Sequence, residues 1–364
     1  MPAALKDSVD ATVVDDLAQR FAAVDPHFDA DGFRDRTTPQ LESLELKARI
    51  EAIARELWRS LGERDAAASL SAVVEVARCE PAVEGWAAWP LAAVIELFGL
   101  SCPVDALAAM EHVTKRMSCE FAVRPFLRDH FDATYAQLLT FTEHDDDRVR
   151  RLPSEGTRPR LPWGASVQQL LDDPGPGLAL LDRLRHDPSE TVRRSVANHL
   201  NDVAKAHPEL VIDTLSTWVT EPQTDRRMVA HALRTLVKQG VPGALALLGF
   251  DTDPQVVVEH FDVAPASVGM GEHINLSATI RSTSEVAQRL VVDFVVHHVT
   301  ASGATSAKVF KWSTIDLDPN AERRLTKRRL IQQASTRTYR AGTHRVELQI
   351  AGHVLAEASF DVVV

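Results

Sequence analysis

The sequence predicts two fold classes in series, an all-α HEAT-like-repeat solenoid followed by an all-β immunoglobulin-like sandwich, and three observations carry that reading. Apolar residues recur at helical spacing through roughly the first 250 positions and at period two afterwards. A Val-Arg-Arg element returns after 43 residues, at Val149 and again at Val192, which is the period of a stacked helix pair. Charge changes along with the period, since 28 basic residues stand against 40 acidic ones before Val256 and 12 against 11 from there on.

The helical windows follow in order. The opening "MPAALKDSVDATVVDD" has no basic start leading into an apolar run, so no secretory signal is expected and the cytoplasm is the default location. Amphipathic spacing then predicts helices in "QLESLELKARIEAIARELWRSLG", "DAAASLSAVVEVARC", "VDALAAMEHVTKRM" and "DATYAQLLTFTEH". "WAAWPLAAVIELFGL" is apolar over 15 residues but is interrupted by Pro90 and Glu96. It is too short for a bilayer and reads as a buried helix, so no membrane association is expected. Cys79, Cys102 and Cys119 are odd in number and lack CxxC spacing, which argues against a disulfide framework or thiolate zinc and leaves them as small core residues.

The repeat itself is the most informative stretch. "HDDDRVRRLP" from His144 aligns with "HDPSETVRRSV" from His186, each an acidic turn followed by Val-Arg at the start of a second helix, as in HEAT repeats. In the later copy Val192, Val196, Leu200 and Val203 form one buried stripe, which leaves Arg194, Asn198, Asn201, Asp202 and Lys205 as a polar ridge. In the earlier copy Pro153 falls opposite Val196. A proline removes an amide donor and clashes with the preceding turn, so the helix is expected to end there. The loop "SEGTRPRLPWG" would then hold Arg158, Arg160 and Trp163 on a chain stiffened by Pro159 and Pro162, a composition suited to phosphates and bases.

From "VVVEHFDVAPASVGMGEHINLSATIRS" to the end, short alternating runs separated by Gly, Ser and Pro turns predict the sandwich. The expected domains are 1–252 and 256–364. Tyr339 precedes a strand near the place of a tyrosine corner. "ERRLTKRRL" gathers Arg323, Arg324, Lys327, Arg328 and Arg329, which form either an anion-binding patch or a solvated strand edge. The adjacent His297 and His298 would point to opposite faces of a strand, and no HExxH, phosphate-loop or dinucleotide motif occurs. No metal or cofactor is therefore expected.

"CEFAVRPFL" from Cys119, "RRLPSEGTRPRLPWG" from Arg150 and "VRRSVANHLNDVAK" from Val192 together resemble the bacterial HEAT-like-repeat DNA alkylation-repair glycosylases of the AlkC type, related to AlkD, which can carry a C-terminal immunoglobulin-like domain. The resemblance implies a monomer that acts on duplex DNA containing small cationic alkylated bases, chiefly N3-methyladenine, and hydrolyses the N-glycosidic bond while the DNA is kinked. Such a base leaves as a neutral molecule, so the main chemical task is to stabilise an oxocarbenium-like sugar. On the matching motifs, Glu120 and Asp202 are the expected catalytic carboxylates, with Trp163 and Phe121 contacting the lesion. Arg151, Arg158, Arg160, Arg193 and Arg194 would bind the DNA backbone, against the net acidity of the helical part. Two other readings stay open on the residues alone: a non-enzymatic scaffold that grips a protein partner, and a HEAT-type lyase acting on a bound chromophore.

Overall fold

Several helices begin where a carboxylate can accept the free amides of a first turn. Asp10 accepts from the N–H groups of Thr12 and Val13 at the head of Ala11–Val24, Asp29 from that of Gly32 in Ala30–Leu41, and Asp146 from that of Arg148 in Asp147–Gly156. The computed structural model describes residues 5–62, 65–333 and 339–363, with helices as far as Pro242–Leu247 and strands from Val256 onward. The amphipathic windows become Leu46–Ser60, Ala66–Arg78, Pro103–Thr114 and Phe131–Phe141. Pro90 falls in the first turn of Trp89–Phe98, where a missing amide costs nothing, and Trp89 through Ile95 are all buried. Cys119 is buried, whereas Cys79 and Cys102 are only partly covered.

The repeat is visible as a repeated strut. Arg150 Nε and Nη2 donate to Asp187 at 2.6 and 3.0 Å, and Arg193 Nε donates to Asp225 at 3.0 Å, each reaching from one repeat to the acidic turn of the next. Their Nη1 atoms bond the carbonyls six and five residues upstream, His144 and Asp145 for Arg150, Asp187 and Pro188 for Arg193.

Pro153 does not end its helix. Asp147–Gly156 runs through the proline for one more turn, and Leu152 to Gly156 are all buried. Tertiary packing outweighs the lost amide here, and the expected loop starts at Thr157 instead of at the proline.

The strands are β1 (Val256–Ala264), β2 (Ser267–Gly269), β3 (His273–Ser282), β4 (Gln288–Val299), β5 (Thr305–Leu317), β6 (Glu322–Leu330), β7 (Gly342–Ile350) and β8 (His353–Val363). They form a three-stranded sheet in the order β1-β3-β6 and a five-stranded sheet in the order β2-β8-β7-β4-β5, with β2 parallel to β8. Alternate residues Ile274, Leu276, Ala278 and Ile280 of β3 join Leu290, Val292, Phe294 and Val296 of β4 in one core. Strand β4 is buried on its other face as well, because Leu245 of Pro242–Leu247 packs against Val291 and Ala351. Gly240 allows this approach, since a Cβ there would lie 2.4 Å from the Cα of Gly352. Tyr339 is buried, and among the described residues its hydroxyl accepts from the Arg329 side chain, Nη2 at 3.4 Å, in place of the backbone contact of a tyrosine corner.

The chain packs as two compact units that cut across the change in secondary structure. One comprises Met1–Val203 with Pro222–Ala232, the other Ala204–Glu221 with Leu233–Val364. Every residue of the site described next lies in the first.

Candidate active site

Glu120 lies in the turn that leads into helix Val123–Asp129, and the end of Asp147–Gly156 packs directly on that turn. Only glycine fits at the contact, since a Cβ on Gly156 would stand 2.6 Å from Val123 Cγ1. This close approach brings the side chains of Asp147–Gly156 level with Glu120, and those of Glu190–Val203 are brought up from the following repeat.

The result is an alternating chain of charge. Arg151 Nη1 donates to Glu120 Oε2 at 3.0 Å and to Ser118 Oγ at 3.2 Å, while its Nη2 lies 3.2 Å from Glu155 Oε2. Arg158 continues the chain, with Nη1 2.5 Å from Glu155 Oε1 and both Nε and Nη2 2.8 Å from Asp202 Oδ2. Ser195 Oγ donates to Glu155 Oε2 at 2.7 Å. Three carboxylates thus face two guanidiniums, which leaves one net negative charge. Burial pushes the Glu155 carboxyl up, but Arg151, Arg158 and the Ser195 hydroxyl outweigh it and hold the group below the usual range. Burial likewise weakens the Arg158 cation, and Glu155 and Asp202 more than restore it. Under the network His199, 1% exposed, donates Nδ1–H to the Ser154 carbonyl at 2.9 Å. Burial drives its pKa down to about 4, so the ring is neutral near pH 7.

Several expected site residues are placed differently from the sequence reading. Asn201 and Asp202 are buried at 3% each instead of lying on a solvated ridge, because Arg158 reaches over from the preceding repeat to cover the carboxylate. Arg158 is itself 9% exposed and committed to two carboxylates, so it does not face a phosphate. Arg151 is held between Glu120 and Glu155, and Arg193 is the strut to Asp225. Phe121, expected at the lesion, is 8% exposed and stacks on Trp89 in the core at a centroid distance of 5.5 Å.

Other expectations find exposed positions. Trp163 is 64% exposed and has φ 64°, a left-handed conformation that costs a non-glycine residue about 1–3 kcal/mol and is characteristic of functional segments. Arg160 is exposed and makes no ion pair among the described residues. Arg194 pairs with Glu190 at 2.8 Å on the surface, its one ion pair among the described residues, beside a cavity of about 230 Å³ that Arg227 and His231 also line. In the sandwich β6 pairs with β3 alone among the described residues, and its residues alternate. Arg324 and Arg328 point outward, while Arg323 and Lys327 share the side of Leu325, which packs on the core. Arg329 turns in, its guanidinium 3.7 Å from the centroid of the Phe310 ring. The five cations therefore do not form one patch.

Glu155 is the residue that sequence reasoning missed. Arg151, Glu155 and Arg158 stand at helical i, i+4 and i+7 spacing, a signal hidden by ending the helix at Pro153. Arg124 and Lys47 were missed as well. Arg124 is 2% exposed and donates to the carbonyls of Gly156 at 2.8 Å, Arg158 at 2.9 Å and Ala165, and Lys47 Nζ donates to the Trp163 carbonyl at 3.4 Å. Neither has a local signature, because their partners are main-chain atoms distant in sequence.

The chain is similar to known proteins along nearly its whole length. Residues 257–364 match the family model described as "Uncharacterised protein YhaZ, C-terminal Ig-like domain". The chain is 33% identical to the uncharacterised protein YhaZ of Bacillus subtilis (strain 168) over 362 residues, 98% of this chain and 99% of that protein. It is also similar to the solved structure of Pseudomonas fluorescens alkylpurine DNA glycosylase AlkC bound to DNA containing an abasic-site analogue. That similarity has a TM-score of 0.92 and 34% identity and covers 100% of both chains.

Proposed function

The chain belongs to the AlkC family of DNA glycosylases, and from that premise we propose that it releases small cationic alkylated bases, chiefly N3-methyladenine, from duplex DNA by hydrolysing the N-glycosidic bond. The observation that carries the proposal is the ion-pair chain from Glu120 to Asp202 beside an exposed tryptophan. Breakage of the glycosidic bond sends its electron pair to the already cationic base, which departs neutral, and leaves the positive charge on the sugar. Opposite unit charges at about 4 Å and an effective dielectric near 20 attract by roughly 4 kcal/mol, equivalent to about a thousandfold in rate.

Glu120 is the carboxylate best placed to meet the sugar. Its side chain is 18% exposed, and Arg151 engages Oε2. Oε1 then faces the developing cation and takes a proton from the water that adds to it. Asp202, 3% exposed, supplies a second fixed negative charge and keeps Arg158 from neutralising Glu155 alone. Arg151 and Arg158 act as positioning residues that fix the carboxylates in place before substrate arrives. Trp163 stacks at the lesion, where an indole favours an electron-poor ring. Arg160, Arg194 and, in the sandwich, Arg324 and Arg328 bind phosphates. The surface pair Arg194–Glu190 is cheaply exchanged for a phosphate contact. The test is incubation with methylated duplex DNA and chromatographic identification of the released base. N3-methyladenine is the expected principal product, and intact DNA after prolonged incubation would refute the proposal.

A further inference from the structure

The loop that presents Trp163 sets a non-glycine residue in a left-handed conformation, with φ 64° and its indole largely in solvent. Gly164 N–H donates to the Leu161 carbonyl at 3.1 Å and closes a turn around Pro162 and Trp163, which suits the proline but not the tryptophan. Two cations from outside the loop brace that turn. Arg124 is buried without a carboxylate partner among the described residues and gives its guanidinium to main-chain oxygens at both ends of the loop, Gly156 and Arg158 at the entry and Ala165 at the exit. Burial and the neighbouring Arg158 pull its pKa down to about 10, so it still carries its charge at neutral pH. Lys47 comes from helix Leu46–Ser60, more than a hundred residues upstream, and its Nζ donates to the carbonyl of Trp163 while lying 6.0 Å from the centroid of the Phe121 ring. The two carbonyls held in this way, Trp163 and Ala165, flank Gly164. Lys47 therefore fixes the peptide plane that follows Trp163, and Arg124 ties down the two ends of the loop that carries it.

We infer that Lys47 and Arg124 are positioning residues that keep the Trp163 backbone in its left-handed turn, so that the indole is already in place when damaged DNA arrives. The inference rests on the lesion-contact role proposed for Trp163. A loop that holds its binding conformation only part of the time binds more weakly in proportion to that fraction, and the chemical step after binding is untouched. Loss of either cation should therefore act on lesion affinity more than on kcat. It should also discriminate between damaged and undamaged duplex, which a phosphate contact would not.

The experiment uses the full chain and two duplexes of one sequence, one carrying an abasic-site analogue and one undamaged. Lys47→Gln, a substitution at an exposed position, is expected to weaken binding of the abasic duplex by about 3- to 10-fold, the scale of one charged hydrogen bond near the surface, and to change undamaged binding and kcat little. Lys47→Arg should restore most of the loss. Arg124→Lys, which can serve one carbonyl in place of three, should lose about 10- to 100-fold, with its urea midpoint read alongside. In a Trp163→Ala background Lys47→Gln should add nothing, because both changes remove the same contact. Additive losses, or equal losses on both duplexes, would overturn the positioning role. Full lesion affinity in Lys47→Gln beside a weakened Trp163→Ala would overturn it and leave the function proposed for Trp163 standing. Full affinity in Trp163→Ala itself would overturn both.

Discussion

Replacing Trp163 by alanine and by glycine separates what its side chain does from what its backbone costs. The residue is 64% exposed, so about a third of the roughly 250 Å² of a tryptophan is covered, worth about 2 kcal/mol, and both variants forfeit it. They differ at φ 64°. Alanine keeps a left-handed penalty of about 1–2 kcal/mol that glycine escapes, and glycine's extra freedom in the unfolded chain returns about 0.5–1 kcal/mol of that advantage. Trp163→Gly should therefore unfold at higher urea than Trp163→Ala, by about 0.5–1 kcal/mol. Both should bind a duplex with an abasic-site analogue more weakly by about 1–3 kcal/mol, the scale of one base–aromatic stack. Urea unfolding by circular dichroism and titration of labelled duplex measure the two effects on the same preparations. An alanine variant at least as stable as the glycine variant would show that the left-handed turn is not held in solution. Undiminished lesion affinity in both would remove Trp163 from the site.

The carboxylates should separate in a similar way. Glu120→Gln and Asp202→Asn should each lower N3-methyladenine release at least about tenfold, but only Asp202→Asn, which strips a buried partner from Arg158, should also cost about 3 kcal/mol of stability in urea. Changing Arg324 and Arg328 to Gln should lower the slope of log K against log salt by about 1–2, while Arg329→Gln should leave the slope alone and weaken the sandwich. His199 has a folded pKa depressed from 6.5 to about 4, so the stability linked to it is fully present above pH 6.5 and is lost as pH falls towards 4. Removal of that dependence in His199→Gln, read from urea midpoints at pH 7 and 5, is the expected result. Asp293, 3% exposed, has the opposite sign. Burial raises its pKa from 3.8 to about 6, so its cost appears as pH rises through that range, and Asp293→Asn should stabilise the protein at pH 7 by about 1–3 kcal/mol in thermal or urea unfolding.

What the sequence determined by itself is whatever neighbouring residues decide. The helices of the first part, the alternation of β3 and the register of Val149 against Val192 follow from spacing and from acidic caps, and each depends on atoms within one or two turns or one strand. The motifs also nominated Glu120, Asp202 and Trp163 as candidates for the site. They did not show how those residues stand to one another. Arg151 reaches Glu120 across 31 residues, Arg158 reaches Asp202 across 44, and Arg124 reaches Ala165 across 41. An arginine that binds phosphate and one that holds a carboxylate read alike in a sequence, and burial alone separates Arg158 from Arg160. Pro153 shows the same limit from the other side, since its local rule is sound and was overridden by the packing of Leu152 to Gly156. Only the tertiary structure decided these points, because the free energy of a buried charge depends on which groups the fold places within a few ångströms of it, and that is set by the stacking of repeats.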